Sequence, residues 1–261
     1  MPRFSANLTL LFNEVEFLNR FEAAARVGFR AVEYMFPYAY EPQVLRNKLD
    51  GLGLKQVLFN LPAGNWEAGE RGIALLPDRR QEFAAGVDQA LRYAKALGCP
   101  CVNCLVGLMP DSITPAAVRT TLVANLRYAA ELLEKEDVKL LVEPLNTRDF
   151  PGFFLSGTAQ AASLIEEVGS RNLFIQYDVF HMQVMEGNIT ETIRKHLARI
   201  GHIQIADNPG RHEPGTGEIN FTNLFRFIDE AGYAGYIGCE YRPAGKTEDG
   251  LGWLKPYLQE G

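Results

Sequence analysis

The sequence predicts a single (β/α)8 barrel of the TIM type, an α/β fold, on three observations. Short β-rich runs alternate with amphipathic stretches of helical period along the whole chain. Eight such units fit into 261 residues, the size of one α/β barrel. No Pro/Ser-rich linker or low-complexity run divides them, so residues 1–261 read as one catalytic domain. The competitor, a doubly wound open sheet, would usually carry a Gly-rich phosphate fingerprint after its first strand, and none stands there.

The first strand is expected at Phe4–Phe12, and Glu14–Val27 follows as a helix with Val15, Leu18, Phe21 and Ala25 on one face. Strands come next at Ala31–Phe36, Lys55–Leu61 and Cys101–Gly107. A helix over Thr114–Glu134, with Val118, Leu122, Leu126, Ala129 and Leu133 in period, leads to a strand at Lys139–Asn146. The last three strands are expected at Leu173–Asp178, His202–Asp207 and Tyr236–Tyr241. Gly28, Gly53, Gly98, Gly169 and Gly232 stand a few residues before strands, where helix C-caps belong.

A net charge of −6 argues against a nucleic-acid or anionic-membrane partner, since both would want a basic face. No apolar run approaches the roughly 20 residues of a membrane span, and MPRFSANLTLLF has no signal-peptide pattern, so a cytoplasmic location is the default. Three of the four cysteines crowd into Cys99-Pro100-Cys101-Val102-Asn103-Cys104, at an apolar strand. They read as buried structural thiols rather than as disulfides or zinc ligands. Aromatic residues in the loops leave room for a homo-oligomer contact.

Active sites of (β/α)8 barrels lie at the C-terminal ends of the strands. Strands five to eight read KLLVEPLN, LFIQYDVFH, GHIQIADN and YIGCEYRP, and deliver Glu143, Asp178, Gln204 and Glu240 to one mouth. Any one of these could merely cap a helix or bridge to an Arg. Converging acids repel, and buried carboxylates are costly unless paired or bound to metal, so a divalent cation is the simplest neutraliser. Oxygen-only donors favour Mg2+ or Mn2+ over zinc, with Mg2+ ahead.

His181 follows Asp178 by three residues and belongs beside the site. Arg211 lies in a long Gly/Pro loop placed to fold over the mouth and offer a cation to a carboxylate. Trp66 could wall a pocket and Arg71 could supply a second anion contact; His202 and His212 read as structural. Asn7 and Glu33 are polar residues of the earlier strands to which the sequence gives no role. Two carboxylates on opposite faces of one carbon suit enolisation beside a carbonyl. Glu143 and Glu240 are the natural pair, in an isomerase or an epimerase.

The stretches RFSANLTLLF, FRAVEYMFPY, NLPAGNWEAGERGIA, NCLVG, LVEPLN, IQYDVFHMQ, HIQIADNPGRHEPGTGEIN and GCEYRP resemble the hydroxypyruvate isomerase family. That family lies within the xylose-isomerase-like barrels, which also include ketose 3-epimerases and endonuclease IV. The resemblance covers essentially the whole chain. It implies isomerisation of hydroxypyruvate to tartronate semialdehyde (2-hydroxy-3-oxopropanoate), with Glu143 and Glu240 exchanging protons. It implies metal binding by Glu143, Asp178, Gln204 and Glu240, and substrate contacts for His181 and Arg211. A sister group isomerises 2-oxo-tetronate acids, one carbon longer. A ketose 3-epimerase is the enzymatic alternative, and a metal-dependent small-acid sensor the non-enzymatic one. An endonuclease IV-type nuclease would want more His ligands than the four His of this chain and a basic surface.

Overall fold

In the computed structural model, which describes residues 1–258, eight parallel strands close into a barrel in sequence order. They are β1 (Arg3–Asn7), β2 (Ala31–Glu33), β3 (Lys55–Asn60), β4 (Cys101–Cys104), β5 (Lys139–Val142), β6 (Leu173–Asp178), β7 (Ile200–Ile205) and β8 (Tyr236–Cys239). Closure is made by β1, which pairs with β2 on one side and β8 on the other. Around them run α1 (Phe17–Arg26), α2 (Pro42–Leu52), α3 (Arg80–Leu97), α4 (Pro115–Glu134), α5 (Thr158–Val168), α6 (Val179–Met185), α7 (Ile189–His196) and α8 (Phe221–Glu230). The expected fold class is the observed one. No helix among the described residues is long and apolar enough to cross a membrane.

The strand boundaries need correction. Only β6 spans the expected residues; the other strands end one to five residues early, and β1 and β7 also begin earlier, by one residue at Arg3 and by two at Ile200. The cause is that burial outlasts the ladder. Leu8, Leu11 and Phe12 are buried, yet the amides of Leu10 and Leu11 turn back to the Asn7 carbonyl. Leu145 is equally buried, but its amide bonds the Leu155 carbonyl rather than a neighbouring strand. An apolar pattern reports burial and cannot mark where sheet pairing stops. The first helix is likewise shorter than expected, starting at Phe17 rather than Glu14.

The fourth helix begins as its sequence dictates. The Thr114 hydroxyl accepts from the Ala117 amide, and Pro115 occupies the first turn, where no amide donor is required. Gly53, Gly98 and Gly169 are left-handed C-caps; Gly28 and Gly232 fall one residue past the caps of their helices.

The main apolar core lies between barrel and helices and includes Phe21, Phe59, Val102, Leu126, Leu164 and Phe225. Truncating one such side chain to Ala costs about 2–5 kcal/mol. All four cysteines are free and buried. Burial pushes the Cys101 thiol up to about 11 and Cys104 to about 12, so neither is a ready nucleophile or metal ligand. The strands also bury Ser5, Asn7, Glu33, Asn103, Gln176, Asp178, His202 and Gln204. Buried polar groups at this density need partners, and they find them in one another.

A candidate active site at the mouth of the barrel

Strand direction brings the sequence-predicted acids together. Glu143 directly follows β5, Asp178 ends β6, Gln204 lies near the end of β7 and Glu240 directly follows β8. All four are buried. The Asp178 carboxylate also caps α6, accepting from the Phe180 amide at 2.8 Å through Oδ1 and leaving Oδ2 for the site. Oxygens of Glu143 and Asp178 and a ring nitrogen of His181 lie within 4.8 Å of one another, close enough for a shared ion.

Arg211 supplies the cation. Its Nη2 donates to Glu240 Oε2 at 2.6 Å and lies 3.4 Å from Asp178 Oδ2. The loop that carries it is built on Asp207. That buried carboxylate accepts from the amides of Asn208, Gly215, Gly217 and Ile219. Arg211 adopts a left-handed backbone, pinned when its amide donates to the Asp207 carbonyl and its carbonyl accepts from the Arg242 amide. Gly217 is obligatory here, since a Cβ would stand 2.2 Å from the Asn208 carbonyl oxygen.

When all three ionise, the carboxylates of Glu143, Asp178 and Glu240 outnumber the one guanidinium by two negative charges in a buried space, a surplus that a divalent cation neutralises. Proton affinities carry the same message. Burial, then the neighbouring charges of Glu240 and Asp178, hold the Glu143 carboxyl well above the usual carboxylate range. Burial also raises Glu240, opposed by Arg211 and aided by Asp178 and Glu33.

His181 has a defined tautomer. Its Nδ1 accepts from the Asn146 backbone amide at 3.2 Å and lies 2.7 Å from Asn146 Nδ2. Burial holds its pKa down to about 3, so the ring is neutral. With Nδ1 accepting, the single proton must sit on Nε2, which faces Asp178 Oδ2 at 3.5 Å. His181 therefore offers the site a hydrogen-bond donor and no lone pair. This favours a substrate contact over metal ligation.

Gln204 is held by a second layer. Its amide nitrogen donates to Glu33 Oε1 at 2.8 Å, and its carbonyl oxygen accepts from Gln176 Nε2 at 2.5 Å. A carboxylate can only accept, so Glu33 fixes which end of the Gln204 amide points away from it. Glu33 also accepts from Ser5 at 2.8 Å and Asn7 at 3.2 Å, and meets His202 Nε2 at 2.8 Å. Burial opposes its ionisation, but His202, Gln204 and Ser5 together bring its pKa below the usual carboxylate value. Asn7 Nδ2 reaches on to Glu240 Oε1 at 3.2 Å, and Asn103 Nδ2 donates to Glu143 Oε2 at 3.1 Å. Gly238 makes room for this layer: a Cβ there would stand 2.4 Å from the Glu33 carboxylate.

Arg71 lines the cavity above the site, and its guanidinium stacks 4.1 Å over the Trp66 ring. Trp66 is one step further back, edge-on to Phe36, so it supports Arg71 more than it walls the pocket.

A family model described as the xylose isomerase-like TIM barrel matches residues 21–257. The chain belongs to that family. Among its relatives, it is 56% identical over 257 residues to hydroxypyruvate isomerase of Escherichia coli, covering 98% of this chain and 100% of that one. It is 48% identical to 2-oxo-tetronate isomerase of Cupriavidus necator, covering 99% of each. A crystal structure described as AP endonuclease, family 2, from Brucella melitensis superposes with a TM-score of 0.97 at 46% identity, over 99% of this chain and 100% of that one.

Sequence reasoning passed over much of what holds this xylose isomerase-like site. Asn103, Asn146, Gln176 and the Asp207 loop anchor are absent from the sequence expectations, which also give Asn7 and Glu33 no role; His202, expected to be structural, agrees with its place. His202 is buried against Glu33, away from the mouth itself. The available signal was the run of polar residues at alternate strand positions, as in Ser5 and Asn7, Gln176 and Asp178, and His202 and Gln204.

Proposed function

We propose that the chain is an isomerase that interconverts hydroxypyruvate and tartronate semialdehyde, with Glu143 and Glu240 as the proton-exchanging pair. The observation that carries this reading is the convergence of two buried acids of raised proton affinity on one mouth, from β5 and β8. The relatives named hydroxypyruvate isomerase support the substrate. One Glu takes a proton from C3, giving an enediolate, and the other delivers a proton to C2. The C3 hydroxyl proton passes to the C2 oxygen, so C3 becomes the aldehyde and atoms balance. The His181 Nε2–H hydrogen-bonds a substrate oxygen, and Arg211 leaves its carboxylate partners to meet the substrate carboxylate.

Glu143, Asp178, Gln204 and Glu240 would hold a divalent metal, Mg2+ ahead of Mn2+. The surplus of two negative charges fits that ion. When bound, it supplies positive charge for oxygens that become anionic during enolisation. The same reading makes the protein a cytoplasmic enzyme of a small diffusible acid, with no nucleic-acid or membrane partner. A net charge of −6 opposes a phosphate-backbone substrate despite the name carried by one relative.

A second reading, isomerisation of four-carbon 2-oxo-tetronate acids, is favoured by the 48% identical relative of that name. A panel of three- and four-carbon keto acids, with metal removed and restored, tests both. Metal-dependent turnover fastest with hydroxypyruvate supports the first reading; preference for the four-carbon acid moves the assignment to the second. Full activity in Glu240→Gln would remove the proton pair from either.

A further inference from the structure

The mouth cavity of about 530 Å3 carries an unusual charge. Four arginines line it, Arg71, Arg148, Arg211 and Arg242, against one acid, Asp149. The whole chain has 32 acidic and 26 basic residues, so this concentration runs against the sign of the molecule. Arg211 is committed to Glu240 and Asp178, although its Nε is buried without a partner. Arg71 donates to the backbone carbonyls of Trp66 and Glu70. Among the described residues, no carboxylate lies within salt-bridge distance of Arg71, Arg148 or Arg242, whereas eight arginines outside the cavity are so paired: Arg26, Arg46, Arg79, Arg119, Arg171, Arg194, Arg199 and Arg226.

 Pairing is therefore common on the surface and absent at three of the four cavity arginines.

Unpaired guanidiniums gathered in a concave site repel one another unless an anion joins them. The site below holds several acids, so an incoming carboxylate meets repulsion from them before Arg211 can turn to it. A positive rim offsets that barrier. We propose that Arg71, Arg148 and Arg242 form an anion-receiving vestibule that captures small carboxylic acids and makes the carboxylate, rather than chain length, the feature the enzyme selects. Arg242 ties the vestibule to the site directly, because its amide holds the Arg211 carbonyl at 2.8 Å. The proposal rests on the keto-acid reading and adds Arg148 and Arg242 as specificity-determining residues.

The test uses the full metal-loaded chain, with Arg148→Gln, Arg242→Gln and the double variant. Hydroxypyruvate is compared with dihydroxyacetone, which has the same reacting carbons but a hydroxymethyl group in place of the carboxylate. The ratio of kcat/KM for hydroxypyruvate over dihydroxyacetone is expected to fall about tenfold in the double variant, mainly through KM, as for loss of one charge-assisted contact. Sulfate, a non-reacting anion, should bind the double variant more weakly by calorimetry. An unchanged ratio with unchanged sulfate binding overturns the vestibule. Weaker sulfate binding in a protein that does not turn over hydroxypyruvate keeps the vestibule and removes the isomerase reading.

Discussion

Arg211 Nη2 lies 2.6 Å from Glu240 Oε2 and 3.4 Å from Asp178 Oδ2, so one guanidinium from the loop after β7 spans acids delivered by β6 and β8. The arrangement is buried, and breaking it by removing one partner leaves a charge without compensation. In the proposed reaction the same guanidinium must exchange its carboxylate partners for the substrate. Arg211→Gln is expected to lower kcat/KM for hydroxypyruvate by about a hundredfold, the scale of a lost buried charge contact. Arg211→Lys should recover only part of this, because an ammonium cannot reproduce the planar fork. Steady-state kinetics on both variants checks the order.

Glu33 predicts a different signature. It fixes the Gln204 amide without reaching the mouth, so Glu33→Gln should weaken metal binding by about 10–100-fold, as for other partners of metal ligands. Calorimetric titration of Mg2+ or Mn2+ into wild-type and variant protein measures this, and circular dichroism reports whether the fold survives. Wild-type affinity in a folded variant would mean that Gln204 needs no such orientation.

The Asp207 anchor separates loop from metal. Asp207→Ala removes the acceptor for four loop amides, and the loop carrying Arg211 should loosen. We expect KM to rise about tenfold, on the scale of one lost charge-assisted contact, with metal affinity little changed. A fall in metal affinity as large as that of Glu33→Gln would contradict the division.

Glu143 and Glu240 have raised proton affinities in the metal-free protein, so above their unfolded values near 4.5 the folded state binds more protons than the unfolded state. Stability of the metal-free protein from these groups is lost as pH rises, and is most reduced once they ionise. His181 acts oppositely: its folded pKa of about 3 costs stability below about 6.5, its model-compound range. Between pH 6.5 and 8 the carboxylates govern. The gain in Tm on adding Mg2+ should therefore grow across that interval, and thermal melts at matched ionic strength measure it.

The barrel and its four mouth residues were legible because each followed an apolar run and ended a strand, as Glu143 does in KLLVEPLN. Glu33 was not, because an inward polar residue and an outward one look alike in an alternating strand. The His181 tautomer depends on an amide 35 residues away in sequence. Arg148 and Arg242 lie in loops a few residues past strand ends, and no local pattern shows that folding brings them around one cavity. Strand ends are overextended for the reason Leu11 and Leu145 give: side chains stay buried after the backbone has left the sheet.

In the proposed reaction, protons pass between carbon and two glutamates. Isomerisation of hydroxypyruvate in D2O, followed by mass spectrometry and NMR of tartronate semialdehyde, tests it most directly. Metal-dependent deuterium is expected at C2 of the product and is lost in Glu240→Gln. Product formed at the normal rate without solvent deuterium would instead indicate a hydride shift between the carbons and would contradict it.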